Sequence, residues 1–314
     1  MKKLYVQTFG LIIGALAAAK PMLGTEANDI PESLLSARRA YMEGNQDLAL
    51  SELKTTFEQN RKDAAVTGNA FGLLRQVINN ESTSAPPDTK LPPELSYFMI
   101  QVRRDLVRNG QVQYTLDMRA SQKTTAQISM MKLSYFDGDT LLDSATGLGK
   151  VTRETIGQEK SYKITRHYLS SAPAEGPVEI FVNFDNGRSW HGWAPLTDLV
   201  ASTSPEILYP RENEIIHTGT PTFTWIDTVS PEFKSWEKPS YWADIYDYRQ
   251  DPWIDLVQKD SYNSDGLPEI TVPAAKELAN GSYGFVVNHG ETRKFGDIRL
   301  RRAGVTFRGF TVQK

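Results

Sequence analysis

The chain has 314 residues, 39% of them hydrophobic and 10% aromatic, with a formal net charge of −3. That content suffices for buried cores and excludes a disordered tail, the length suits about two domains, and the charge balance excludes a concentrated basic face for nucleic acid. There is no cysteine, which excludes disulfides, a thiol nucleophile, a thiolate metal site and a lipid-anchoring cysteine.

The chain begins "MKKLYVQTFGLIIGALAAAK". Lys2 and Lys3 precede an apolar run centred on residues 11–16, and Ala17, Ala18 and Ala19 follow it. Charged, apolar and small residues in that order predict a secretory signal peptide over residues 1–19, cleaved after Ala19. A retained anchor is the competing reading, but the apolar run of roughly 10–12 residues is short of the ~20 that span a bilayer. No later segment is long and apolar enough to span, so the expectation is a soluble periplasmic or secreted protein without a transmembrane segment after cleavage.

Residues 31–80 carry a helical pattern through Leu34, Leu35, Tyr41, Leu48, Leu53 and Phe57, with Leu34, Tyr41 and Leu48 seven residues apart and Leu53 and Phe57 four. Gly44 ends the first helix and Asn45 opens the second. This stretch resembles one hairpin of a tetratricopeptide repeat through Ala37, Tyr41, Gly44, Ala49 and Leu53. It departs from that repeat in lacking the leading Trp, in placing the aromatic one position off and in having no second copy. A small helical hairpin module is expected, not a repeat array. Residues 81–93, "ESTSAPPDTKLPP", hold neither a helix nor a central strand and read as a linker.

Beyond the linker come short runs of Val, Ile, Tyr, Phe and Thr between turn signals, the pattern of antiparallel sandwiches. A break at "ASTSPEILYP" divides them into halves spanning residues 94–200 and 205–314. In the first half, "VEIFVNFDNGRSWHGWAPL" alternates Val178, Ile180 and Val182 with outward residues, turns at Asn186–Gly187 and returns through Trp190. It resembles the D-x-G-x-S/T-W hairpin of Asp-box repeats and of immunoglobulin-like early-set sandwiches. The single copy favours the sandwich. The resemblance implies that Asp185 caps the turn, Gly187 takes the left-handed position and Trp190 packs over the sheet; His191 and Trp193 complete the strand.

The second half resembles a fibronectin type III-like sandwich through "SPEILYPRENEIIHTGTPTFTW", "YWADIYD", "LANGSYGFVVNHG" and "FRGFTVQK". The resemblance implies that Trp225 is a core residue, that Tyr241, Ala243 and Ile245 face inward, and that Tyr283, Phe285 and Val287 do the same. The expected fold class is mainly β: two immunoglobulin/fibronectin III-like antiparallel sandwiches preceded by a small α-helical hairpin module.

No nucleophile elbow, zinc-binding helix, Walker loop or dinucleotide fingerprint is present. His167, His191, His217 and His289 have no metal-ligand spacing, and "DGDT" (137–140) and "NSDG" (263–266) lack the further oxygens of a calcium loop. No catalytic residue, cofactor or metal site is therefore expected. One feature exceeds what a sandwich requires: Trp225, Trp236, Trp242 and Trp253 cluster with Phe233, Tyr241, Tyr246 and Tyr248. With Ala243 and Ile245 inward, alternation sends Trp242, Asp244, Tyr246 and Tyr248 outward as an aromatic stripe carrying an acid. Trp236 and Trp253 flank it, and either they or the neighbouring sandwich can also cover it. Such a stripe suits a protein hot spot or sugar stacking. The expected partner is another envelope protein; a glycan is the alternative.

Overall fold

The computed structural model describes residues 30–79, 87–106, 111–123, 125–156, 159–201, 204–226, 240–248, 253–259 and 268–314. The signal-peptide reading of residues 1–19, the first part of the 81–93 linker, the NSDG turn and Trp236 lie outside them.

Three helices lead the described chain: α1 (Glu32–Met42), α2 (Gln46–Gln59) and α3 (Ala64–Ile78). Gly44 takes φ +76°, where a side chain is strained, and so ends α1. The Asn45 side chain accepts from the Leu48 amide at 3.2 Å and caps α2. Asp63 caps α3 by accepting from the Ala65 and Val66 amides, both at 3.0 Å. The expected hairpin thus continues into a third helix. Leu34, Leu53, Phe57, Leu74 and Val77 are buried in one core with the strands that follow. The later part of the linker is tied down by bonds from the Asp297 amide to the Thr89 carbonyl and from the Leu91 amide to the Asp297 carboxylate.

Strands β1 (Leu95–Leu106), β2 (Val112–Gln122), β3 (Ile128–Tyr135), β4 (Thr140–Asp143), β5 (Lys150–Ile156), β6 (Glu159–Leu169), β7 (Gly176–Phe184) and β8 (Ser189–Leu196) form the first half. The second half holds β9 (Glu206–Tyr209), β10 (Glu214–Ile216), β11 (Thr222–Ile226), β12 (Ser240–Asp247), β13 (Trp253–Lys259), β14 (Glu269–Thr271), β15 (Gly281–Phe295) and β16 (Ile298–Val312). Among the described residues they make three sheets: a long one in the order β13-β12-β15-β16-β1-β2-β6-β5 with β10 also on β16, a four-stranded one β4-β3-β7-β8, and a three-stranded one β14-β11-β9.

Each small sheet faces part of the long one and closes a core. In the first, Leu133, Val178 and Ile180 meet Phe98, Ile100, Leu116 and Ile164. In the second, Phe223, Trp225 and Ile270 meet Ala243, Ile245, Phe285 and Phe310. Trp225, Ala243, Ile245, Tyr283, Phe285 and Val287 therefore face inward as alternation predicts. The protein is mainly β, two sandwiches preceded by a helical module.

The two cores are not divided along the chain, because the long sheet serves both. The hairpin of β15 and β16 reverses at Gly296, φ +65°, the first central position of a two-residue turn. At its tip Phe295, Ile298 and Leu300 enter the first core; at its base Tyr283, Phe285, Phe310 and Val312 enter the second. β16 pairs in parallel with β1, Met99 opposite Arg299 through to Leu106 opposite Thr306. Between the cores the buried Arg302 and Glu291 form an ion pair, and Arg293 donates to the carbonyl and the hydroxyl of Thr197, each at 2.7 Å.

Candidate functional site

The Asp185 hairpin is a structural device. Gly187 takes φ +79°, and Trp190 lies over Gly192, where a Cβ would fall 2.6 Å from the indole. Trp190 also meets Phe98 edge-on at 5.2 Å. Asp185 does not cap its own turn as the resemblance implies. Its carboxylate accepts from the Gln127 amide at 2.9 Å and fastens the approach to β3, while Asn186 accepts from the Arg188 amide at 3.0 Å. The Asp185 amide in turn donates to the Gln127 carbonyl at 2.9 Å, so the residue is tied to the segment leading into β3 instead of its own turn. Trp193 is fully buried, edge-on to Phe295 at 5.0 Å. His191 stacks on Phe181 at 4.4 Å with its Nε2 3.4 Å from Glu179.

The aromatic cluster sits on β12, between β13 and β15 in the long sheet. Its face points away from the second core. Trp242 is 38% exposed and Tyr248 42%, with Tyr246 half-buried between them. Tyr246 and Tyr248 meet edge-on at 5.2 Å, and Tyr248 meets Phe307 of β16 at 6.1 Å. Phe307 comes from the closing "FRGFTVQK", which the sequence marks only through its fibronectin type III-like resemblance. The signal was there: with Phe310 and Val312 inward, alternation puts Phe307 outward. Its ring lies over Gly284 of β15, where a Cβ would fall 2.1 Å from it, so the glycine is needed for the ring to cross the strand.

Asp244 departs from expectation. It alternates to the same face, opposite Val286, yet it is fully closed off from solvent. A short side chain in an inner strand, two residues from a bulky aromatic on either side, is shaded by them. The stripe is aromatic without an exposed acid. The backbone of Trp253 belongs to β13, opposite Tyr246, but its side chain, like all of Trp236, lies outside the described residues.

Over β1, β2 and β6 the same sheet face carries charge instead. Asp105 accepts from Arg103 Nε at 2.6 Å and from the Thr115 hydroxyl at 2.9 Å. The buried Asp117 accepts from the Thr165 hydroxyl at 2.6 Å, with Lys163 Nζ at 3.4 Å.

A cavity of about 340 Å³ opens where the helices meet the first sandwich. Phe57, Phe71, Tyr135 and Phe136 wall it, α3 contributes Gly68, and the β3–β4 turn sets Asp137 and Asp139 at its mouth. Arg61 also lines it; its guanidinium forms a two-pronged ion pair with Glu179, at 2.7 and 2.8 Å, and donates to the Phe136 carbonyl at 2.9 Å. Burial alone would raise the Glu179 carboxyl, but hydrogen bonds from His191 and Arg61 outweigh it and hold it at about 2. Among the described residues no group of three or more metal-ligating side chains occurs, and no helix is long and apolar enough to cross a membrane.

No protein-family profile matches the chain, and no curated protein does. Solved structures are similar to it. Fibronectin(III)-like modules of Clostridium thermocellum CbhA are 11% identical, over 69% of this chain and 93% of that one, with a TM-score of 0.21. The N-terminal Ig1-2 module of the Drosophila receptor protein tyrosine phosphatase DLAR is 15% identical, over 70% and 96%, with a TM-score of 0.32. SGBP-B of the Bacteroides ovatus mixed-linkage glucan utilization locus, solved with a mixed-linkage heptasaccharide, is 12% identical, over 69% and 61%, with a TM-score of 0.17. The class is set by the chain's own sheets and cores: a mainly β protein of two sandwiches with an N-terminal helical module.

Proposed function

We propose that this is a non-catalytic binding or adaptor protein of the bacterial cell envelope, periplasmic or secreted, that works through protein–protein contacts. The observation that carries the reading is the aromatic face on which Trp242 and Tyr248 are exposed beside the half-buried Tyr246 and Phe307, backed by a packed core on the other side of the same strands. Rigid aromatic rings on a sheet supply large contact area at low entropic cost, which is the chemistry of a protein hot spot. The leader-like residues 1–19 support export.

The alternative is a glycan-binding module or accessory subunit, since the same rings suit sugar stacking. A sugar site also needs polar groups beside the rings to bond the hydroxyls. Asp244, the group expected to supply them, is closed off, which favours the protein reading. Affinity capture from envelope extract, run beside a glycan array, separates the two. The wild-type chain should retain a discrete protein that Trp242→Ala with Tyr246→Ala loses. Identical capture by both chains, or a glycan signal lost in the double variant, would contradict the protein reading.

A further inference from the structure

We propose that the cleft between α3 and the β3–β4 turn is a second binding site, taking a lysine or arginine side chain from an extended segment of a partner protein. It lies apart from the aromatic face and does not depend on it.

Charge favours a cation. The charged residues lining the cleft are Arg61, Asp137, Asp139 and Glu175. Arg61 is consumed by Glu179, and Arg75 forms an ion pair with Glu175. Asp137 and Asp139 remain at the mouth, both exposed, and among the described residues no ion pair reaches either. The Asp137 carboxylate accepts from the Asp139 amide at 3.0 Å, which holds the turn without neutralising it. The cleft is therefore anionic at its rim. Tyr135 reports the same field: burial raises its hydroxyl to about 12, and Asp137 and Asp139 add to the shift.

Shape favours a long stem. Phe71 and Tyr135 give the cleft aromatic walls beside the acids. Apolar walls ending in carboxylates match a side chain with a methylene stem and a cationic head, which buries the stem and keeps the head at the rim. A cavity of about 340 Å³ stands at the small end of the roughly 300–1,000 Å³ typical of ligand sites, enough for a side chain and not for a folded element.

Gly68 of α3 lines the same cleft. Helix propensity disfavours glycine in the interior of α3. A Cβ at Gly68 would meet nothing within 4 Å, so internal packing does not require it. What its absence does is leave the cleft open along the helix flank.

The test uses fluorescence anisotropy of the purified chain with a fluorescein-labelled Gly-Lys-Gly-Lys-Gly-Lys-Gly peptide, and a glutamine version as comparison. The lysine peptide should bind saturably and the glutamine peptide at least about tenfold more weakly, the size of one lost charge-assisted contact. Asp137→Asn with Asp139→Asn keeps an acceptor for the turn and should weaken binding about tenfold. Gly68→Leu projects into the cleft and should abolish binding with no drop in Tm. Absence of saturable binding, equal binding of the glutamine peptide, or undiminished binding by Gly68→Leu overturns the proposal. Because the aromatic face is tested with other variants, failure here and failure there are distinguishable.

Discussion

One continuous sheet face shows two kinds of surface. Over β1, β2 and β6 its charged groups are answered within the sheet: Arg103 and Thr115 meet Asp105, and Thr165 and Lys163 meet Asp117. Over β12, β15 and β16 it presents aromatic rings, two of them more than a third exposed. A face whose hydrogen bonds close on themselves gains little from a partner, since binding would first have to strip water from groups already paired. Exposed ring area still carries a hydrophobic gain of ~25 cal/mol per Å² when covered. The two halves share an architecture and differ in what the open face has left to offer.

Several changes would break or sharpen this contrast. The largest effect should come from the inner side of the aromatic strands. Phe285, fully buried and stacked on Phe223 at 4.3 Å, should cost about 3–5 kcal/mol when changed to Ala, read by urea unfolding. A loss near zero would mean that the sheet behind the aromatic face is not a packed support. On the charged side, Asp117→Ala strands the Thr165 hydroxyl and should cost about 1–3 kcal/mol. An unchanged midpoint would show that this network is not what completes that face.

Acid should separate the halves as well. Glu179 is held at about 2 against an ordinary 4.5. A carboxyl lowered by folding contributes stability that is fully present above pH about 4.5 and is lost as pH falls toward about 2. Glu179→Gln should therefore lower stability at neutral pH and flatten the acid limb in that window. An unaltered acid limb would mean that Arg61 and His191 do not set the state of this carboxyl. The smallest stability effect belongs to Trp242→Ala with Tyr246→Ala, expected within about 1 kcal/mol because the rings lie outside the core. A collapse in Tm would recast the aromatic face as part of the fold.

Local pattern carried much of this into the sequence. Gly44 and Asn45 mark the helix junction, Asn186–Gly187 the hairpin, and alternation through Ala243, Ile245, Tyr283, Phe285 and Val287 the inner face, because each depends on neighbours a few residues away. The pairing of Met99 with Arg299 leaves no such trace, since a parallel partner from the far end of the chain imposes no local period. Asp244 was placed on the correct face, but whether a side chain is shaded depends on the sizes of its neighbours and not on parity. The cleft joins α2, α3, the β3–β4 turn and the approach to β7. Its acids were legible only as the turn residues they also are.

The central claim is that another protein covers the aromatic face, and photo-crosslinking reads that contact directly. Benzoylphenylalanine placed at Tyr248 or Trp242 in cells, with Met42 on the exposed side of α1 as reference, reports what lies against each position. The account predicts one discrete protein adduct from Tyr248 and Trp242 and none from Met42. No adduct at Tyr248 or Trp242, in cells where the chain is folded and exported, would contradict it.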